Sequence, residues 1–434
     1  MHSWWTDSAT KGLKAQAAEQ QAQVGLPSRR AVARREDTHP PLARHPLAEA
    51  AIESFLAGVS TVDPTVLVRK AVRQGLLDDW FEDRMRPKPL HVLALGKAAP
   101  RMLWGLVEAG VPFSGIGAAP KGVPAPNVDT FRWLPGEHPL PGAGSFAAGS
   151  AILAWADALP ENAPVLVLLS GGASACAESP LHGSEQELVR QWQEWLAQGL
   201  GIVELNQRRA RLSALKGGRL GLRLLGRTRR VRCWLLSDVP AAHPESVGSG
   251  PVWVEDKEPG AVPHLVLADG ETLLQGAAYR LAILGFQVHR HPGRLQGGTA
   301  QQVEAFLDGA AALPAGDVAL LGIGETADPM PALAPPEGRM LAAALAAAVA
   351  LRRRGDPGLF CALASDGRDG ATAEAGAWAT ADDGDRQAQE ALGAWAAHAV
   401  LASRGRTVRT GATGTNVNDL WAYLRRGPAT TALK

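Results

Sequence analysis

Residues 164–174 read PVLVLLSGGAS, a short apolar run that passes directly into two glycines and two serines. An apolar run of this length that ends at a glycine-rich turn is typical of a buried strand. The same order recurs in 89–97 (PLHVLALGK), 231–238 (VRCWLLSD), 317–322 (DVALLG) and 359–367 (LFCALASDG). Helical patterns separate these runs, so the sequence predicts an α/β fold with a mostly parallel sheet. Because such sheets bind ligands at the carboxyl ends of their strands, all five turns are expected to share one cleft.

Composition limits the class of protein. The chain has 434 residues and a formal net charge of +1, which predicts two domains and does not favour a nucleic-acid partner. Its three cysteines are far apart and form no C-x-x-C pair, which argues against a disulfide framework and favours the cytoplasm. No stretch approaches the roughly 20 apolar residues that cross a bilayer, so no membrane partner is expected. The oligomeric state is left open.

Four segments are predicted along the chain. Residues 1–45 are rich in Gln, Ala and Arg and are expected to form a flexible tail. Residues 46–307 would form a larger N-terminal domain, beginning with helices interrupted near Pro64. The Gly- and Ala-rich residues 308–315 are the predicted linker, and residues 316–434 the smaller C-terminal domain.

The first candidate site residue is Lys97, which follows Gly96 at a predicted strand end. The segment is not a P-loop, because His91 stands where the first glycine is required and Ala98 replaces the metal-binding Ser or Thr. A lysine here would present a compact cation to a phosphate or carboxylate. A surface lysine in a turn is the alternative.

A second candidate is the turn after the strand that opened this section. Two glycines and two hydroxyls can form a nest of backbone N–H groups for an anion, and a plain tight turn is the alternative. The candidate residues are Ser170, Gly171, Gly172 and Ser174.

The segment 206–220 (NQRRARLSALKGGRL) predicts a helix with a polar stripe that ends at Gly217 and Gly218. The stripe consists of Asn206, Arg209, Ser213 and Lys216. A solvated basic face explains Arg208, Arg211 and Arg219 equally well, and Lys216, which directly precedes the paired glycines, is the member taken as a candidate for binding.

Three aspartates are candidates for acid chemistry. Asp238 at a strand end would take a proton from a hydroxyl or hold a metal, and a helix N-cap is its alternative role. Asp366 and Asp369 lie in a glycine-rich loop that suits Mg²⁺, which prefers one or two carboxylates together with substrate phosphates.

Two further segments bear on function. Gly322–Ala327 superficially matches a dinucleotide fingerprint, but Pro329 and Pro331 leave no helix to receive a pyrophosphate. The segment 410–420 (TGATGTNVNDL) is unusually rich in short hydrogen-bonding side chains, which makes Thr413, Thr415, Asn416 and Asn418 candidates for binding.

Together these segments resemble the successive signatures of the class II glycerate kinases, whose C-terminal part is called the MOFRL domain. The resemblance rests on LALGKAAPRM, GEHPLP, LLSGGASA, LNQRRARLSALKGGRL, LLSDVPAAHPESVGSGP, ASDGRDGATAEAGA and TGATGTNVNDL, and covers about residues 91–420. It implies a Rossmann-like larger domain and a smaller MOFRL domain. The implied reaction converts D-glycerate and ATP to 2-phosphoglycerate and ADP, with Mg²⁺ or a similar metal.

The resemblance also implies roles for individual residues. Lys97 would contact substrate or phosphate, Asp238 would accept the proton or link to the metal, and Arg339 would neutralise the transferring phosphate. The family's binding motifs map onto the other candidates, which are Ser170, Gly171, Gly172, Ser174, Lys216, Asp366, Asp369, Thr413, Thr415, Asn416 and Asn418. Metal ligands are not assigned.

The chain departs from the family pattern at residues 335–341. Gly338 and Arg339 are kept, but Met340-Leu341-Ala342 replaces the Asn-Gln-Glu that follows in the family. Two alternatives therefore stand beside the kinase: a non-catalytic or regulatory paralogue that binds nucleotide or hydroxy acid, and a kinase of another small hydroxy acid.

Overall fold

The computed structural model describes residues 45–80, 89–198, 202–239, 243–254, 262–328 and 338–427. These residues form two compact units. Of the described residues, unit 1 contains 63–269 and 414–416, and unit 2 contains 45–62, 270–413 and 417–427. The predicted tail, residues 1–45, lies outside the described residues except for His45.

This division differs from the predicted one in two places. The predicted linker at 308–315 starts inside a helix, Thr299–Ala311, and the chain changes unit at Asp269–Gly270 instead. The helix Pro46–Thr61 belongs to unit 2, because it packs closely on the helix Gly270–Ile283 of that unit. The close approach of Gly58 to Leu273 leaves no room for a side chain at residue 58.

Unit 1 is an α/β layer structure whose sheet has six strands. Its strands are β1 (Leu90–Leu95), β2 (Phe113–Pro120), β3 (Phe131–Gly136), β4 (Val165–Leu169), β5 (Val231–Leu236) and β6 (His264–Ala268). The helix Pro46–Thr61 of unit 2 is called α1. The helices of unit 1 are α2 (Pro64–Arg73), α3 (Ala99–Ala109), α4 (Ala143–Asp157), α5 (Ala173–Cys176), α6 (Glu185–Ala197), α7 (Ile202–Leu212) and α8 (Arg219–Leu225).

All six strands of this sheet are parallel, in the order β3-β2-β1-β4-β5-β6. The central strand β4 is buried along its whole length, as its continuous apolar run predicts. The three central strands end within one residue of each other, since Leu95 pairs with Leu169, and Leu169 with Leu235, the residue before the end of β5. The turns that follow these strands therefore start at the same edge.

Unit 2 contains the second sheet and the helices that cover it. Its strands are β7 (Gln287–Arg290), β8 (Leu295–Gly297), β9 (Val318–Thr326), β10 (Leu359–Ala364), β11 (Gly376–Thr380), β12 (Thr407–Val408) and β13 (Asp419–Arg425). Its helices are α1, α9 (Gly270–Ile283), α10 (Thr299–Ala311), α11 (Arg339–Arg354), α12 (Arg386–Gly393) and α13 (Ala397–Ser403).

The second sheet is mainly antiparallel, and this corrects the expectation that all five turns lie at the edge of one parallel sheet. Strand β13 lies between β9 and β10 and is antiparallel to both. The strands that precede Gly322 and Ser365 therefore belong to a different sheet from the other three. The reason is the C-terminal strand β13, of which the polar segment 410–420 contains only Asp419 and Leu420. Because β9 and β10 point the same way, both still end beside Asp419, the first residue of β13.

The segment Pro46–Arg73 is, among the described residues, the one helical stretch long and apolar enough to cross a membrane. It is two helices, as predicted, because Asp63 caps the second helix and accepts hydrogen bonds from the backbone N–H groups of Thr65 and Val66. Phe55 and Val68 are buried inside the protein, so both helices serve as core helices.

Candidate functional site

The turns after β1 and β4 interlock in unit 1. The Lys97 backbone N–H donates to the carbonyl of Gly171 at 2.9 Å, and the Ala98 N–H donates to Ser170 Oγ at 3.0 Å. Gly96 has a φ of +110° and its Cα lies against the Ser170 carbonyl, so a side chain at residue 96 would overlap it. This packing fixes where the Lys97 side chain starts.

Asp238 follows β5 and lies against the same turn. A Cβ on Gly171 would overlap the Asp238 carboxylate and the Asn416 amide. Asn416 Nδ2 donates a hydrogen bond to Asp238 Oδ2 at 3.0 Å. The carboxylate is thus held between a bare glycine and an amide from the C-terminal loop.

The Lys97 side chain lies on the adjacent glycine. A Cβ built on Gly172 would stand 2.9 Å from Lys97 Cγ and 3.4 Å from His138 Cδ2. Asp238 thus lies against Gly171 and Lys97 against Gly172, which are consecutive residues of one turn. The Cα atoms of consecutive residues are about 3.8 Å apart. The structure therefore brings these two predicted catalytic residues together, and both are partly exposed.

Two other candidates of unit 1 are buried next to this turn. Ser174 lies in the short helix α5, which begins at the residue after Gly172. Its Oγ atom is 2.8 Å from Ser249 Oγ. Thr415 is 2% exposed beside Asn416. The buried positions of Ser174 and Thr415 are those of residues that stabilise the turn.

Lys216 is placed differently from its prediction. The helix α7 ends at Leu212, so Ser213 and Lys216 are not on the helix that carries Asn206 and Arg209. The chain leaves the helix because Ser213 pairs with Pro180 in an isolated bridge. All four predicted stripe residues are buried. Arg211 is exposed and Arg208 and Arg219 are partly exposed, as a solvated basic face predicts for those three arginines.

The Lys216 ammonium has three protein acceptors, which match its three N–H donors. They are Glu178 Oε2, the carbonyl of Ala177 and Ser213 Oγ. Burial lowers the pKa of Lys216, and the charge of Glu178 opposes that effect. A cavity of about 10 Å³ lies beside Lys216, with room for about one water. Lys216 therefore has the surroundings of a buried structural ion pair.

In unit 2, Arg339 is the first residue of α11 and is surrounded by carboxylates. Its guanidinium lies 3.3 Å from Glu325 and 3.2 Å from Asp419, and donates to the carbonyl of Thr326 at 3.0 Å. Burial alone would lower the pKa of Arg339, but the charges of Asp419 and Glu325 raise it above its ordinary value. The Arg339 side chain is still 39% exposed and keeps surface to offer a ligand.

Asp369 caps the helix that Arg339 begins. Its carboxylate accepts the backbone N–H groups of Met340 at 3.0 Å and Leu341 at 2.8 Å. Burial raises the pKa of Asp369 to about 6, against the effect of these two hydrogen bonds. Burial likewise raises the pKa of Asp419 well above its usual range, and Arg339 opposes this. The carboxylate of Asp369 is therefore engaged with backbone N–H groups in the first turn of α11, whose N-cap residue is Gly338.

The remaining candidates of unit 2 pack around the end of β10. The Thr413 N–H donates to the carbonyl of Asp366, and Thr413 Oγ1 donates to that of Ser365. Asn418 Oδ1 accepts a hydrogen bond from Arg294 at 2.6 Å. Asp366 is partly exposed and accepts the N–H of Arg368.

The structure describes the dinucleotide-like segment 322–327 in full and the altered segment 335–341 in part. Gly322 and Gly324 lie inside β9, so the dinucleotide-like segment is strand and not a strand-to-helix turn. The altered segment at 335–341 lies partly outside the described residues, which resume at Gly338. Within them, Met340 and Leu341 are buried in the core under α11, where the family pattern has polar residues.

The described residues contain no group of three or more His, Cys, Asp and Glu side chains able to hold a metal ion. Asp238 accepts a hydrogen bond from Asn416, and Asp369 accepts two backbone N–H groups. This donor set fits Mg²⁺ only as a partner of nucleotide phosphates, which supply most of its ligands in such sites.

The structure adds three residues that were not nominated. His138 shares Gly172 with Lys97, and Glu325 and Asp419 hold Arg339. His138 lies in the quoted segment GEHPLP and Asp419 in TGATGTNVNDL, so their motifs were visible. Which side chain of each motif faces the site depends on long-range packing.

Comparisons with known proteins bear on the family and the fold of the chain. A family model described as "Domain of unknown function (DUF4147)" matches residues 50–268, and the MOFRL family model matches residues 320–419. D-glycerate 2-kinase from Thermotoga maritima is 31% identical over 210 residues, which are 48% of this chain and 48% of that protein. Glycerate 2-kinase from Pyrococcus horikoshii is 30% identical over 202 residues, 44% of each chain. The chain thus aligns with about half the length of these curated relatives.

A solved structure is similar over a larger part of the chain. The crystal structure of glycerate kinase from Thermotoga maritima superimposes with a TM-score of 0.69 at 25% sequence identity, covering 87% of this chain and 99% of that one. The DUF4147 match alone covers half of the present sequence, and the MOFRL match follows it. The chain therefore belongs to the class II glycerate kinase family.

Proposed function

We propose that this protein is an ATP-dependent glycerate 2-kinase that converts D-glycerate and ATP to 2-phosphoglycerate and ADP. The observation that carries the proposal is the packing of Lys97 and Asp238 against the consecutive glycines 171 and 172. A cation and a carboxylate at one turn are what transfer of phosphate to a hydroxyl requires. Family membership and the names of the similar proteins support the choice of substrate.

In this reaction the 2-hydroxyl oxygen of glycerate attacks the γ-phosphorus of ATP. A new oxygen–phosphorus bond forms, the bond to the β–γ bridging oxygen breaks, and ADP leaves. Asp238 orients the hydroxyl and takes its proton, and the amide of Asn416 holds the carboxylate in position. Lys97 faces an anionic group of the substrate or the nucleotide and offsets its charge.

Arg339 is proposed to offset charge on the transferring phosphate. Its guanidinium is already oriented by Glu325 and Asp419, so little side-chain entropy is lost when it binds a phosphate. In the same unit, Thr413 and Asn418 shape the loop next to Asp366 and are proposed as indirect contributors to binding.

Mg²⁺ is expected to enter with the nucleotide. Asp366 is the partly exposed carboxylate of the glycine-rich loop that we propose as its protein ligand, because Asp369 is engaged as a helix cap. The metal would supply neutralisation of phosphate charge. The reaction is proposed to take place in the cytoplasm, in keeping with three buried unpaired cysteines.

The test uses the full chain with D-glycerate, ATP and Mg²⁺, followed by ³¹P NMR of the product. The proposal expects a phosphate ester at the 2-hydroxyl together with one ADP for each ester. A panel of other small hydroxy acids tests the alternative of a kinase with a different substrate. Turnover of one of these acids without turnover of glycerate would assign that acid as the substrate. ATP binding without any ester would favour a non-catalytic, ligand-binding paralogue.

A further inference from the structure

The buried polar residues of α7 include one that has no polar partner. Arg209 is 7% exposed, and no hydrogen bond or ion pair joins it to any residue of the described chain. Its Nε atom is buried without a hydrogen-bond acceptor. A buried N–H group without an acceptor is costly, because water no longer solvates it.

Stacking accounts for only one face of the group. The Arg209 guanidinium carbon lies 3.9 Å from the centre of the Trp192 ring. Such a cation–π contact is worth about 2 kcal/mol when desolvated, but it does not supply an acceptor for the in-plane Nε–H. The N–H donors of a guanidinium lie in a fixed fork that matches a carboxylate or a phosphate.

The local charge is also unbalanced. Arg209 and Lys216 are two buried cations, and both interact electrostatically with a single buried carboxylate, Glu178. Glu178 makes its ion pair with Lys216. Burial lowers the pKa of Arg209 to about 10, so the guanidinium keeps its charge at neutral pH. The cluster therefore has two basic side chains, Arg209 and Lys216, for one carboxylate, Glu178.

A chain of hydrogen bonds leads from Asn206, on the same helix as Arg209, toward the turn after β4. Asn206, one helical turn before Arg209, accepts a hydrogen bond from Ser249, and Ser249 pairs with Ser174. Ser174 lies in α5, two residues after Gly172. Arg209 is thus one helical turn away from a residue that is hydrogen-bonded toward the proposed catalytic turn.

We propose that Arg209 is an oxyanion-binding residue, whose guanidinium fork receives a carboxylate or a phosphate group. The bound anion is either the carboxylate of the hydroxy acid or a phosphate group carried by another ligand. In the first case the inference rests on the proposed function. Lys216 and Glu178 then serve as the fixed support, and the bound anion balances the charge of Arg209.

The experiment measures binding directly, so it does not depend on turnover. Isothermal titration calorimetry of the full chain is carried out with inorganic phosphate, with D-glycerate, and with glycerol as the uncharged control. The variants are Arg209→Met, Arg209→Lys and, as the matched control on the same helix, Arg208→Met. Arg208 is partly exposed and pairs with Glu204. Melting temperatures in buffer without multivalent anions are measured alongside.

The proposal expects at least one of the two anions to bind the wild-type chain. Arg209→Met should weaken that binding about 30-fold or more, because a charged hydrogen-bonded partner is lost. Arg209→Lys should retain part of the affinity, and Arg208→Met all of it. Without anions, Arg209→Met should melt no lower than wild type, since it removes an unpaired buried charge. Loss of glycerate binding alone assigns the substrate carboxylate, and loss of phosphate binding alone assigns a phosphate group.

Two outcomes would overturn the inference. The first is the absence of binding of either anion to the wild type, and the second is unchanged binding in Arg209→Met. If unchanged binding comes with a lower melting temperature, Arg209 has a purely structural role as a stack on Trp192. If Arg209→Met does not fold, Arg209→Lys decides, and unchanged affinity in it counts against a bidentate contact. Anion binding without any phosphoryl transfer would instead defeat the proposed function and leave this inference standing.

Discussion

Asn416 and Asp238 are joined by a hydrogen bond of 3.0 Å, although 178 residues separate them in the sequence. The Asn416 amide donates, and the Asp238 carboxylate accepts while lying on the bare Cα of Gly171. This contact ties the C-terminal loop to the end of β5. It gives the carboxylate one defined orientation beside the turn that also carries Lys97.

The first prediction concerns this hydrogen bond. Asn416→Ala removes the donor that orients Asp238, and kcat for D-glycerate should fall by about 100-fold, the loss that a small misplacement of a reacting group causes. Steady-state ADP release measures it. Asn416→Asp places a second carboxylate next to Asp238 and should be at least as harmful. Full activity in Asn416→Ala would contradict an orienting role.

The second prediction concerns the space at Gly171. A Cβ there overlaps both Asp238 and Asn416, so Gly171→Ala should displace the carboxylate and abolish most activity. Overpacking should also lower the free energy of unfolding by about 1–3 kcal/mol. Gly393→Ala is the control, because a Cβ at residue 393 meets no atom within 4 Å and the change should leave activity intact. Equal activity in the two variants would show that the turn tolerates a side chain.

The third prediction concerns the buried ion pair. Lys216→Met leaves the Glu178 carboxylate buried without its cation, and the free energy of unfolding should fall by about 3–5 kcal/mol. Adding Glu178→Gln removes that charge and should recover part of the loss. Denaturant unfolding measures both. Arg223→Met, which breaks an exposed pair with Asp157, should have no measurable effect. A loss of ATP affinity in Lys216→Met without loss of stability would instead restore the predicted binding role.

The fourth prediction is a pH dependence in unit 2. Because burial raises the pKa of Asp369 to about 6, the folded chain binds this proton more tightly than the unfolded chain does. The resulting stability is present in full below the ordinary aspartate pKa of about 3.8 and is lost as pH rises through 6. Asp369→Asn cannot titrate, so it should gain stability relative to wild type between pH 4.5 and 7.5, by at most about 3 kcal/mol.

Denaturant unfolding of the wild type and Asp369→Asn at several pH values measures this gap. The exposed carboxylate of Glu390 is the control, and Glu390→Gln should show no such gap. A gap that shrinks as pH rises would mean that the folded state prefers the ionised Asp369, contrary to the effect of its burial.

Much of unit 1 follows from the sequence by simple rules. Continuous apolar runs predict buried parallel strands, and β4 is buried at every residue. Strands that end at the same edge predict that Lys97 and Asp238 are close, and the structure places them on adjacent glycines. These features depend on local pattern and on one general property of parallel sheets.

The errors have a different origin. Strand β13 and helix α1 take their places through contacts with residues far along the chain, which no local pattern reveals. Lys216 was read from helical spacing, but the helix ends at Leu212 where the chain bridges to Pro180. The partner of Lys216, Glu178, lies 38 residues away and carries no motif of its own. Long-range pairing decides these features.

The most direct measurement is a double-mutant cycle on the rate of ADP release with D-glycerate. It compares wild type, Lys97→Met, Asp238→Asn and the double variant, with the exposed Lys70→Met as the control. If both residues act on one phosphoryl transfer, each single variant loses most of the activity and the double variant is about as slow as the slower single one. Losses that multiply independently, or a wild-type rate in either single variant, would contradict a shared site at the glycine turn.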